Sequence, residues 1–285
     1  TFTFLFLLRI LNKKLYIKLR SFIQLGYIFP RKGSFSSFLL NILMDEKRKD
    51  RLLRIEVADR LKVRKYVGLN DQSLELPNLL WEGAILTSSE YQNLPNIFYL
   101  KHISSSGKVK KIDKSIHTLK NINNWIKKSN VINYGWLTRE WYYSKKNFYI
   151  CEEPICNQDL TDYKFFCKKG EPFLLQVDID RNKLHKRNIY AISNQGKNFE
   201  LLNCKLHFYN VNKDFALHNL IHKAYCSAKK LSKEFDFIRV DLYIFDNKVY
   251  FGELTNIPGS GFERFYPEKY DKIVFNKMKK IKIIK

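Results

Sequence analysis

No two of the five cysteines (Cys151, Cys156, Cys167, Cys204 and Cys226) have C-x-x-C spacing, and an odd number cannot close into a full disulfide framework. A disulfide scaffold and a structural zinc site are therefore not expected, and a reducing, cytoplasmic setting is. Acids are missing from the opening, where residues 1–44 carry seven Lys or Arg and no Asp or Glu. Long apolar runs are missing too. Residues 1–10 are apolar but broken by Arg9, and they fall far short of the ~20 residues a membrane-spanning helix needs. No small-x-small cleavage pattern follows them, so a secretory leader is not expected. His218 and His222 are four apart, as on one face of a helix, but lack companion carboxylates, and a metal pair is not expected there. There is no internal repeat, no low-complexity linker and no RNA-binding motif, so no specific nucleic-acid partner is expected.

What is present is material for a core. Apolar residues make up 45% of the 285, with 22 Phe and 17 Tyr, enough for one large or two modest domains. Lys and Arg number 51 against 28 Asp and Glu, a formal charge of +23, so the surface attracts polyanions such as nucleotides, anionic lipid or acidic glycan. Leu8, Leu11, Leu15, Leu19 and Phe22 form one stripe at helical spacing, with Lys13, Lys14, Lys18 and Arg20 off it. Such a helix either lies on an anionic membrane or docks on its own domain. Further helices are expected within residues 45–67, 115–128 and 217–235. Strands are expected at 97–100, with Lys101 at the end, and at 149–152, 163–167 and 173–179. The last two are joined by a turn at Lys169-Gly170-Glu171-Pro172.

The most informative segment runs from Arg239-Val240-Asp241-Leu242-Tyr243 to Phe251-Gly252-Glu253-Leu254-Thr255-Asn256. Alternation along a strand puts Arg239, Asp241 and Tyr243 on one face and Val240 and Leu242 in the core. On the partner strand it puts Phe251 and Glu253 on a common face. A three-residue loop, Asp246-Asn247-Lys248, sets Asp241 opposite Glu253, with Cβ atoms ~5 Å apart. Two carboxylates so close need a positive charge between them, and an oxygen-only pair suits Mg²⁺, which completes its shell with phosphate and water. The glycine-rich turn from Thr255 to Gly261 follows and can bring backbone N–H groups close to an anion. An anion with its metal, braced by arginine, is a phosphoryl-transfer arrangement.

These motifs resemble those of the TupA-like ATP-grasp family. RVDLY, VYFGELT, PGSGF and FYPEKYD are similar to its signature, and Lys62-Val63-Arg64-Lys65-Tyr66-Val67, Thr138-Arg139-Glu140-Trp141 and Tyr149-Ile150-Cys151-Glu152-Glu153 follow its order. So do Asp162 to Phe166, Gly170-Glu171-Pro172, Asp178 to Arg181, and Arg187. The resemblance implies ATP and Mg²⁺ as cofactors, with the metal on Asp241, Glu253 and Thr255, and Asn256 beside them. It implies Arg239 and Lys101 as catalytic, and Lys101, Ser106, Gly107, Glu152, Glu153 and Lys164 as nucleotide contacts. Arg139, Arg181, Arg187, Ser260 and Gly261 would meet the substrate. At the phosphate loop the family has Lys then C-N-H-G-S-G, and this chain has Lys101-His102-Ile103-Ser104-Ser105-Ser106-Gly107.

The fold expected is α+β, an ATP-grasp core of two lobes clamping a nucleotide, with a helical N-terminal extension. Its expected parts are a basic segment at 1–44, a cap at 45–96, a small lobe at 97–149, a large lobe at 150–271 and a basic tail at 272–285. The function implied is an ADP-forming ligase joining a carboxylate to an amine through an acyl phosphate, acting on an amino acid or acidic glycan in cell-surface polysaccharide synthesis. It would work in the cytoplasm, with peripheral contact to an anionic membrane. A glycosyltransferase or polymer-assembly enzyme, a nucleotide-binding protein with a degenerate site, and a plain polyanion binder remain as alternatives.

Overall fold

The structure, a computed structural model, describes residues 2–131, 134–144, 146–156, 158–179, 185–207 and 216–281. Arg181, one of the expected substrate contacts, and the tail beyond Ile281 lie outside the described residues. Five helices open the chain: α1 (Phe2–Arg9), α2 (Lys13–Leu25), α3 (Phe35–Met44), α4 (Arg51–Val57) and α5 (Val63–Asn70). Then come β1 (Leu79–Gly83), α6 (Ser88–Asn93), β2 (Ile97–His102), β3 (Val109–Asp113), α7 (Leu119–Val131), α8 (Tyr134–Thr138) and β4 (Tyr149–Glu152). The strands β5 (Asp162–Lys168), β6 (Glu171–Ile179), β7 (Lys186–Ser193), β8 (Asn198–Leu201) and β9 (Lys205–Leu206) follow. After α9 (Ile221–Leu231) come β10 (Ile238–Phe245), β11 (Lys248–Thr255), β12 (Phe265–Tyr266) and α10 (Lys269–Lys279).

Two antiparallel sheets organise these elements. The smaller has the order β1-β4-β2-β3, and the larger β11-β10-β5-β6-β7-β8. Ile122 and Ile126 of α7 pack on Phe98, Leu100 and Ile112 of the smaller sheet, which gives that unit a core of its own. The smaller sheet draws β1 from the region expected as a cap, and the boundary expected at 149/150 falls inside β4. The reason is pairing: β4 lies between β1 and β2, so neither it nor β1 can leave without exposing backbone hydrogen-bonding groups.

The larger sheet is covered differently on its two faces. Phe165, Cys167, Leu175, Val177, Val240 and Leu242 point to one face, where Ala224, Ala228 and Leu231 of α9 close the core. Phe166, Leu174, Ile189 and Phe237 point to the other, against α3, with Phe35 meeting Phe166 and Phe237 at ring-centroid distances of 6.1 and 5.5 Å. Helix α3 covers only part of that face. The rest carries polar residues and forms the floor of a cleft.

Helix α2 docks on the domain, but not by the stripe read from its sequence. Asn12 caps it by accepting the Leu15 N–H at 2.8 Å, and Gly26 ends it in the left-handed region at φ 78°. The buried side is Tyr16, Ile17, Arg20, Ser21 and Leu25. Arg20 reaches inward because its guanidinium donates to the Tyr16 hydroxyl at 2.8 Å and to Gln24 at 2.9 Å, and lies 4.0 Å above the Phe262 ring. Leu15, Leu19 and Phe22 are left exposed.

Candidate active site

The acid-bearing hairpin is built by a turn shorter than its sequence suggested. Phe245 pairs with Lys248, so only Asp246 and Asn247 form the loop, both at positive φ (48° and 55°) as a two-residue hairpin turn requires. That turn alone would set Asp241 opposite Gly252. The register shifts between Asp241 and Leu242, where Gly252 is the extra residue of a β-bulge, and beyond it Asp241 does face Glu253. A Cβ on Gly252 would stand 2.8 Å from the Asp241 carbonyl oxygen, which is why glycine fits here. The bulge also corrects the expected pairing of faces. Phe251 and Val249 point into the core, and Glu253 and Thr255 turn to the cleft with Arg239 and Asp241.

The registers of neighbouring strands align a polar floor. Glu253, Asp241, Lys164 and Gln176 form one row across four strands, and Tyr243, Asp162, Asp178 and Arg187 form the next. Arg239 donates through Nε to Asp241 Oδ1 at 2.7 Å and through Nη2 to Oδ2 at 2.6 Å. The same Nη2 reaches the Thr255 hydroxyl at 3.1 Å and stands 3.5 Å from Glu253. Burial pushes the Asp241 carboxyl above its ordinary range despite Arg239 and Lys164. Burial also opposes charge on Glu253, but Arg60, Arg239 and Lys164 outweigh it and hold that carboxyl below its ordinary range.

Asp178 anchors the second row. It accepts from Lys164 at 2.8 Å, from Gln176 at 2.9 Å, and from Arg187 at 2.6 and 3.1 Å. Burial works against its charge, yet Arg187 and Lys164 hold it far below the usual carboxylate range. Lys164 also lies 3.1 Å from Asp162, so its ammonium is fixed between two acids, one strand over from Asp241.

The cleft encloses about 1840 Å³, and the smaller sheet faces this floor across it. Lys101, Ser106, Gly107 and Glu153 line that side. Lys101 donates to Glu152 at 2.6 Å, and Arg64 holds the other oxygen of Glu152 at 2.9 Å. Arg60 ties the two sides together. Its Nη1 donates to the carbonyls of His102 and Ser105 at 2.6 and 2.8 Å, and its Nη2 stands 3.5 Å from Glu253.

A family model described as TupA-like ATPgrasp matches residues 40–279. The chain belongs to the TupA-like ATP-grasp family. Its fold is accordingly the α+β ATP-grasp fold, and membership of this family supports an ATP-binding protein of the ligase kind. Among solved structures it is similar to the D-alanine–D-alanine ligase of Bacillus anthracis, at 13% identity and TM-score 0.44, over 79% of this chain and 68% of that one. The D-alanine–D-alanine ligase of Helicobacter pylori is similar at 16% identity and TM-score 0.42, over 78% and 60%. The ATP-grasp ligase PsnB is similar at 9% and 0.43, over 78% and 60%. No protein with a curated description matches the chain.

The ATP-grasp cleft gathers most of the residues the sequence singled out, and leaves some outside. Lys101, Ser106, Gly107, Glu153, Lys164, Arg187, Arg239, Asp241, Glu253, Thr255 and Ser260 line it. Asn256 does not, because its side chain is buried against Arg54, accepting from Nη1 at 3.1 Å and donating to the Arg54 carbonyl at 2.9 Å. Glu152 sits behind Lys101 rather than on the cleft wall. Arg139 and Gly261 are not among the lining residues: the Arg139 guanidinium lies 5.7 Å from the centre of the Tyr16 ring, and Gly261 packs under Leu40. His102 is buried against Tyr149 and accepts the Ser104 N–H, and burial beside Lys108 and Arg60 pushes it down to about 4, so it is neutral at pH 7. Ser104 and Ser105, within the segment expected as the phosphate loop, are buried, and the Ser104 hydroxyl accepts from the Ser144 N–H at 2.7 Å. Arg60 and Glu140 were not picked out as site residues. Glu140 accepts from Thr138, Tyr142 and Ser260, and Arg60 has no motif that would betray it.

Among the described residues no group of three or more His, Cys, Asp or Glu side chains is arranged around a metal position. The pair of Asp241 and Glu253 nonetheless fits a hard divalent ion. A carboxylate has four lone-pair positions, so Arg239 leaves Asp241 acceptor capacity on both oxygens. Glu253 is 44% exposed with its nearest cations 3.5 Å away.

Proposed function

We propose that this ATP-grasp protein is an ADP-forming carboxylate–amine ligase acting in cell-surface polysaccharide synthesis. The single observation behind this reading is the row of Glu253, Asp241 and Lys164, braced by Arg239, facing Lys101, Ser106 and Gly107 across one cleft. Phosphoryl transfer asks little covalent chemistry of a protein. It needs the triphosphate held in line and the charge on its moving oxygens met by fixed cations. In this reading Lys101, Lys164, Arg60 and Arg239 are those cations, and the loop at Ser106 and Gly107 offers backbone N–H groups.

Asp241 and Glu253, with the Thr255 hydroxyl beside them, would hold Mg²⁺, which supplies neutralisation of phosphate charge. The γ-phosphorus would bond to a carboxylate oxygen of the substrate as its bond to the β-bridging oxygen breaks, releasing ADP. An amine would then attack the acyl carbon, phosphate would leave with the bridging oxygen, and the nitrogen would lose a proton to give the amide. Glu153, exposed on the cleft wall and accepting from Asn78 at 2.8 Å, is better placed for a ribose hydroxyl than Glu152, which Lys101 and Arg64 occupy. Arg187 and Ser260 mark the end of the cleft assigned to an amino acid or acidic glycan. The teichuronopeptide or capsule setting is what the resemblance of the motifs to the TupA-like family implies.

The test is ADP release from Mg²⁺-ATP across pairs of amines with amino acids or uronic acids. Release that requires both a carboxylate and an amine supports the ligase. One observation favours a second reading, a nucleotide-binding protein with a degenerate site: Ser104 and Ser105 are buried rather than offered to phosphate. ATP binding without ADP release from any pair would select it.

A further inference from the structure

The apolar stripe of α2 faces outward. Leu15, Leu19, Phe22 and Ile23 share one side of the helix, and they are 41%, 37%, 59% and 55% exposed. Phe6 of α1 and Ile10 beyond it add 54% and 82% exposure. Isolated exposed apolar residues are ordinary, but a set of large ones along two consecutive helices marks an interaction surface. The burial of Tyr16, Ile17 and Leu25 on the opposite side fixes this orientation, so the stripe cannot roll inward without emptying the core.

Charge decides the occupant. Lys14 is exposed and Lys18 half-buried along the edge of the stripe, Lys32 is exposed shortly after the helix, and residues 1–44 contain no acid, while Lys13 and Arg31 are already paired with Glu46 and Glu268. A second copy of the chain would set Lys14, Lys18 and Lys32 against their own counterparts as the surface was desolvated, which costs energy. A bilayer carrying anionic headgroups meets both demands, taking the apolar side chains into its interface and pairing the lysines. Among the described residues no helix is long and apolar enough to cross a membrane, so the contact is with a surface.

We propose that α1 and α2 dock on an anionic bilayer through Leu15, Leu19, Phe22 and Ile23. The same helix lines the active-site cleft with Arg20 and Gln24. One helix diameter, roughly 10–12 Å, would then separate the cleft wall from the lipid.

The full chain can be sedimented with phosphatidylcholine vesicles that contain or lack phosphatidylglycerol. Binding is expected only with the anionic lipid. The double variant Leu19→Glu, Phe22→Glu is expected to weaken it by roughly a hundredfold, about tenfold for each buried apolar side chain lost. Lys14→Gln and Lys18→Gln are each expected to weaken it about fivefold. Thermal unfolding and ATP binding should be unchanged in all of these, because the residues are on the outer side of α2. Failure of the wild-type chain to bind anionic vesicles overturns the proposal, as does binding that ignores the double variant. A dimer seen by light scattering that the double variant dissolves, without effect on vesicle binding, assigns the surface to self-association instead.

Discussion

Two acids occupy adjacent rows of the same sheet and are held in opposite ways. Asp178 accepts from four donor atoms at 3.1 Å or less, and Lys164 and Arg187 keep it ionised. Asp241 has one guanidinium, shared with Thr255 and near Glu253, and burial raises its pKa. A saturated acid positions its neighbours, whereas an acid whose burial outweighs its cations gains from a ligand that brings more positive charge. In the proposed function, that difference separates scaffold from chemistry within a few residues of each other.

The strongest way to break this comparison is to remove the second pair. Asp241→Ala or Glu253→Ala should lower ADP formation by about a thousandfold or more while leaving the fold intact by circular dichroism. Full turnover in either variant would falsify the metal assignment. Asp178→Ala should be felt first in stability, costing about 3–5 kcal/mol in denaturant titration because Arg187 and Lys164 lose a buried partner.

Acid titration sharpens the contrast. Stability from Asp178 is present above the ordinary carboxylate pKa and is lost as pH falls towards its depressed folded value. Stability from the raised Asp241 is present at low pH and fades as pH rises through its folded value. Asp178→Asn should therefore flatten the acid limb of stability between about pH 3 and 5, and Asp241→Asn should not. Gly252→Ala should cost about 1–3 kcal/mol by crowding the Asp241 carbonyl, and should weaken Mg²⁺-ATP binding as the acids lose register. The smallest effect is expected at Gly107, where φ is 72° and nothing stands within 4 Å of an added Cβ. Gly107→Ala should cost only ~1 kcal/mol of backbone strain, read as a shift in melting temperature.

Much of the hairpin could be read before the structure, because period-two alternation sorts Arg239, Asp241 and Tyr243 from Val240 and Leu242 without tertiary knowledge. Asp241 does face Glu253, but by a two-residue turn plus a bulge rather than a three-residue loop. Gly252 inside an apolar strand was the available signal, since glycine there often marks a bulge. The α2 stripe misled because periodicity reports that a helix has a face, not which face the domain takes. Arg20 won the buried side through contacts with Tyr16, Gln24 and Phe262 that are too polar, or lie too far along the chain, to register as a stripe. Arg60 was beyond reach for another reason: a lone arginine in a chain with 51 Lys and Arg says nothing until its carbonyl partners are in place.

The bulge at Gly252 sets a parity rule for this hairpin. A two-residue turn alone would face Asp241 with glycine and send Glu253 into the core, so with the turn and the bulge both kept the eleven positions between the two acids must stay odd in number. Changes within the paired strands can then be absorbed in twos, as longer or shorter strands, but a single residue added or lost there reverses which side of the sheet the glutamate occupies. A residue added at the tip instead lengthens the loop and leaves the register alone, so the pleat quantises the strands and spares the turn.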